Sequence, residues 1–184
     1  MKHLATARRN TPAAPRHKQK GMTLIEMGVV IILILIVMAL ASGRVGAIFG
    51  KNEQAEEVAA LTQLIVNTKS LRSAGGYGSS GSNLVPALIA TDGVPKSMPI
   101  QSNTLRNTWG QTVTVVSTGL GFAVTTSGVP KAACVEVANK VSRGGAMQTK
   151  VNSSPLTNGE VSSIDASTQC SSDDDNTIGF TVLN

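Results

Sequence analysis

The sequence predicts an α+β fold in which a long N-terminal α-helix, its apolar first half protruding, packs on an antiparallel β-sheet head with a disulfide-bracketed C-terminal region. Three observations predict it. Met22 to Ala41 is an apolar run whose only charge is Glu26, residues 51–72 carry apolar positions at helical spacing, and the chain from Ser73 onward turns rich in Ser, Thr and Gly around segments of period two.

The apolar run comes first. Twenty residues at about 1.5 Å each cover a hydrocarbon core of roughly 30 Å, so the segment is long enough to span a membrane. Six basic residues (Lys2, Arg8, Arg9, Arg16, Lys18, Lys20) and no acidic one precede it, whereas Arg44, Lys51, Glu53, Glu56 and Glu57 follow it. That asymmetry predicts a cytoplasmic N-terminus and translocation of the rest.

No proline occurs between Pro15 and Pro86, so helix is free to continue past the run to Arg72. Val58, Leu61, Leu64, Ile65, Thr68 and Leu71 recur at three- and four-residue spacings, which predicts one apolar stripe and a charged opposite face. An unbroken helix over 22–72 is about 75 Å long, and a head built from the remaining residues has a radius near roughly 13 Å, so much of the helix is expected to protrude. Gly43, Gly46 and Gly50 interrupt the join, each at about 1 kcal/mol relative to Ala. They fit close packing equally with a segment that loosens.

In the head, residues 74–82 form a glycine-serine loop, and Pro86, Pro95 and Pro99 punctuate an irregular connection with one short helix at Val85–Ala90. Residues 111–116 and 122–126 alternate across a Thr-Gly-Leu-Gly connection and predict antiparallel strands. Pro130 suits the start of a helix that Gly144-Gly145 ends. A strand at Met147–Val151, a short helix at 164–170 and a strand at 177–182 complete the head.

Translocation places Cys134 and Cys170 in an oxidising compartment, where they are expected to form one disulfide. Closing that loop stabilises the fold by roughly 3–4 kcal/mol. A metal site needs more ligands than two separated cysteines, and both histidines, His3 and His17, lie before the apolar run. No cofactor or metal is expected. The triplet Asp173-Asp174-Asp175 reads as a solvated turn rather than a calcium site. Trp109 is expected to pack in the head, and Tyr77 is a candidate exposed contact.

At Lys20-Gly21-Met22-Thr23-Leu24-Ile25-Glu26, with the basic segment before it and the apolar helix after it, the chain resembles the type IV pilins. The long leader, Met22 in place of the commoner Phe, and the long segment bracketed by Cys134 and Cys170 resemble the type IVb class. Val129-Pro-Lys-Ala-Ala-Cys134, Thr168-Gln-Cys170 and Asn107-Thr-Trp-Gly110 look like major pilins of conjugative thin pili and enteric bundle-forming pili.

The resemblance implies four segments: 1–21 a basic leader that is removed, 22–43 a membrane and filament-core helix, 44–72 its amphipathic continuation, and 73–184 the head. It implies cleavage between Gly21 and Met22 by a prepilin peptidase, N-methylation of Met22, and a role for Glu26 in assembly. The expected partners are the inner membrane before assembly, the pilus assembly machinery in that membrane, and further copies of the chain in a helical extracellular filament. A filament of this kind serves adhesion or conjugation.

Glu26 supports such a role physically. A carboxylate inside an apolar span costs several kcal/mol unless it is neutralised or paired, and cleavage at Gly21 would create an amine on Met22 as its nearest positive partner. Two alternatives use the same residues. Ala39-Leu40-Ala41 matches a signal-peptide cleavage site, which would release a soluble periplasmic or secreted protein beginning at Ser42. A pseudopilin of a type II secretion system would share the leader and helix.

The net charge of +5 disappears with the leader: removing residues 1–21 takes six of 16 basic residues and none of 11 acidic ones, leaving ten against 11. Nucleic acid is therefore not an expected partner. An enzyme is also not expected, since the mature chain has no histidine and, with the disulfide formed, no free thiol.

Overall fold

The computed structural model describes residues 23–145 and 147–183, and the side chains of these except residues 39–49. The chain divides into two compact units at Val45/Gly46. Helix α1 runs over Leu24–Ser70 and contributes to both.

In the first unit the described side chains, Thr23 to Met38, are all exposed. This follows from composition: a helix apolar on every side has no polar face to turn outward and no single stripe to bury. Among the described residues no helix is long and apolar enough to cross a membrane. The span expected over Met22 to Ala41 includes Met22 and side chains 39–41, which lie outside the described residues.

The second unit contains α2 (Val85–Ala90), β1 (Ile100–Gln101), β2 (Thr104–Arg106), β3 (Thr112–Ser117), β4 (Phe122–Val129), α3 (Lys131–Ser142), β5 (Met147–Val151), β6 (Thr157–Asn158), α4 (Ser163–Gln169) and β7 (Asn176–Val182). The seven strands form one sheet in the order β1-β2-β3-β4-β7-β5-β6, with every neighbouring pair antiparallel. Alternation puts Val113 and Val115, Phe122 and Val124, Ile178 and Phe180, and Met147 and Val151 on the buried face. Leu61, Leu64 and Ile65 of α1 and Ala133, Val137 and Ala138 of α3 join the same core.

Pro130 caps α3 from an extended conformation, as expected for a residue without an N–H. The register of β4 against β7 shifts between Thr126 and Val129. Asn176 fills the gap: its side-chain amide donates to the carbonyls of Val129 at 2.9 Å and Ser172 at 2.7 Å.

Three features depart from the expectations. Tyr77 is buried, edge-on to Phe122 with ring centroids 5.0 Å apart, because its glycine-serine loop folds onto the β3–β4 hairpin. Glu57, expected on the charged side of the helix, is fully buried at the head of the stripe that continues through Leu61, Leu64 and Thr68. The connection after α2 also contains β1 and β2, joined by Ser102 and Asn103 at φ 51° and 60°.

Candidate assembly site on the N-terminal helix

The residues Thr23-Leu24-Ile25-Glu26 build the start of α1. Thr23 precedes the first helical residue, and Glu26 lies three positions on. The Glu26 N–H donates to the Thr23 hydroxyl at 3.3 Å, while the Thr23 N–H donates to Glu26 Oε2 at a long 3.5 Å. This is a capping box, in which two helix-end donors that would otherwise lack partners are satisfied reciprocally. The helix dipole also favours a negative charge at this end. Thr-x-x-Glu before an apolar run signals the arrangement in the sequence, a signal separate from the pilin motif that drew attention to Glu26.

The cap turns the Glu26 carboxylate back toward Thr23. Gly21 and Met22, the expected processing residues, lie outside the described residues. Within the cap, Leu24 is 93% and Ile25 81% exposed, and beyond it Val30, Leu33, Ile34, Val37 and Met38 line a shallow apolar groove. A lone carboxylate at the head of an exposed apolar surface suits association with apolar surroundings plus one positive partner.

In the second unit, Cys134 on α3 and Cys170 at the end of α4 are bonded, with Cα atoms 6.0 Å apart and both residues fully buried. Asp173, Asp174 and Asp175 are exposed in the turn before β7, and among the described residues no group of three or more His, Cys, Asp or Glu could hold a metal ion. Trp109 is half-buried against the core.

The family model described as PilS N terminal matches residues 51–183. The chain belongs to the PilS family and is a type IV pilin. The model of the prokaryotic N-terminal methylation motif matches residues 16–42 of this pilin, covering Gly21, Met22 and Glu26. No curated protein sequence matches it. Its fold is similar to that of the type IV b pilin from Salmonella typhi, at 24% identity over 68% of this chain and 97% of that one, with a TM-score of 0.59. It is also similar to TcpA, a type IV pilin from Vibrio cholerae El Tor biotype, at 13% identity over 72% of this chain and 99% of that one, with a TM-score of 0.52. Pilins are structural subunits that polymerise into filaments rather than enzymes, and the methylation motif implies a membrane-anchored precursor processed by a prepilin peptidase before it enters an extracellular pilus.

Proposed function

We propose that this pilin is the major subunit of a type IVb pilus. It enters the inner membrane as a prepilin through the apolar run, is cut after Gly21, is N-methylated at Met22, and is polymerised by the inner-membrane assembly machinery. The resulting extracellular filament serves adhesion or the stabilisation of conjugating cells. The long leader, Met22 and the disulfide-bracketed C-terminal region favour the b class.

The observation that carries this reading is the all-round apolar exposure of Leu24 to Met38 with one carboxylate capped at its start. Such a surface needs lipid before assembly and copies of itself afterwards. Cleavage at Gly21 would create an amine on Met22, the residue before Thr23 in the sequence. A pair between that amine, on the same or a neighbouring subunit, and Glu26 removes the cost of an isolated ion in apolar surroundings. The test is filament assembly by Glu26→Gln and Glu26→Ala in cells lacking the wild-type chain. Both variants should accumulate in the membrane fraction without surface filaments; normal filament yield from either contradicts the role of Glu26.

A further inference from the structure

Glu57 has a geometry that its place on a helix surface does not require. It is fully buried, and its Oε2 accepts two hydrogen bonds from one residue: the Thr108 N–H at 3.0 Å and the Thr108 hydroxyl at 2.8 Å. The other oxygen, Oε1, is buried with no hydrogen-bond partner. The contact ties the Gly46–Ser70 part of α1 to a turn 51 residues further on.

That turn is rigid. The Asn107 side chain accepts from the N–H groups of Trp109 at 3.1 Å and Gln111 at 2.8 Å, and donates to the Thr126 hydroxyl at 3.0 Å and the Ser127 carbonyl at 2.8 Å. Both Thr108 donors are therefore presented to α1 in advance. What they receive decides the energetics. A carboxylate would have one oxygen paired and the other buried without a hydrogen-bond partner, and an ion buried that way is costly. A carboxylic acid keeps both acceptor bonds at Oε2 and carries its proton on Oε1, which lacks a partner in either state, so protonation removes the larger cost, that of a buried charge.

The neighbouring charges do not restore the ion. Glu56 on the same helix repels it. Arg106, on the strand leading into the turn, directs Nη1 to the Thr112 hydroxyl at 3.1 Å and makes no ion pair with Glu57.

We propose that the Glu57–Thr108 contact is a proton-operated latch between α1 and the Asn107 to Gly110 turn, closed by the carboxylic acid and loosened by the carboxylate. Burial supports this by raising the Glu57 carboxyl above its ordinary value of 4.5, against the smaller opposing pull of the two Thr108 donors. Below 4.5 the group is protonated in both the folded and the unfolded chain, and the latch contributes in full. As pH rises past 4.5 the unfolded chain releases the proton first, and the contribution is lost through the folded group's own higher titration.

The experiment compares the full chain in detergent micelles with its Glu57→Gln variant between about pH 4 and about pH 8, following urea unfolding and infrared absorption. The wild-type midpoint should fall more steeply with rising pH than that of Glu57→Gln, and the variant should be the more stable at the alkaline end. In the wild-type minus Glu57→Gln difference spectrum, where the carboxyls common to both chains cancel, a protonated-carboxyl carbonyl band should persist above pH 4.5. Parallel pH profiles, or no such band, overturn the latch. If Glu57→Gln does not fold, Thr108→Val decides: it removes a donor that favours the ion, so the band should survive to higher pH than in the wild type. A band that titrates at the same or lower pH overturns the proposal.

Discussion

The Tyr77 N–H donates to the Gly119 carbonyl at 2.8 Å, joining the glycine-serine loop to the β3–β4 hairpin at the point where the Tyr77 ring meets Phe122. The residue before it has no room for a side chain. Gly76 has φ +96°, and a Cβ there would lie 2.4 Å from the Gly119 oxygen, a backbone atom that cannot swing aside. Gly76→Ala should therefore destabilise the head by about 1–3 kcal/mol, read as a lower urea midpoint at unchanged slope. Gly78→Ala also meets a positive φ but no neighbouring atom, so it should cost less. Equal midpoints for the two variants would show that the close approach to Gly119 carries no weight.

The Cys134–Cys170 bond pins α3 to α4 from a fully buried position. Cys134→Ser with Cys170→Ser should lower unfolding free energy by about 3–4 kcal/mol. Because neither sulfur is exposed, reductant added to the native pilin should act only at the rate of unfolding. Thiol labelling over time checks this: rapid labelling under native, reducing conditions contradicts the buried placement.

Thr23 acts on the start of α1 through its cap. Thr23→Ala should cost about 1 kcal/mol at that helix end, equivalent to roughly five-fold faster hydrogen exchange at the first-turn amides, including that of Glu26. Thr23→Ser should restore protection. Exchange rates that do not distinguish alanine from threonine would mean that the Thr23–Glu26 pair does not hold the helix end.

Much of this was legible in the sequence, and the exceptions have physical causes. Helix α2 and strand β5 occupy the residues their patterns indicate, because Pro86 fixes one and a clean alternation the other. The pairing of Cys134 with Cys170 follows from there being two cysteines. Strands β1, β2 and β6 are only two or three residues long, too short for a period to show, and β1 and β2 lie beyond Pro95 and Pro99. Glu57 was illegible because polarity assigns it to water, whereas its satisfaction comes from Thr108, distant in sequence. Tyr77 sits in a segment whose composition reads as exposed loop and whose burial is created by the hairpin it meets. At the candidate site, Glu26 stands out as the single charge in an apolar run, but its partner Thr23 is visible only when the same four residues are read as a helix cap.

The central claim, that the chain is processed at Gly21 and polymerised, is tested most directly by the intact mass of the subunit in filaments sheared from cells. The expected subunit begins at Met22 and is heavier by one CH2, the net gain of N-methylation, and lighter by the two hydrogens lost in forming the Cys134–Cys170 bond. A subunit beginning at Ser42, or cells that make the protein and display no filaments, would contradict it.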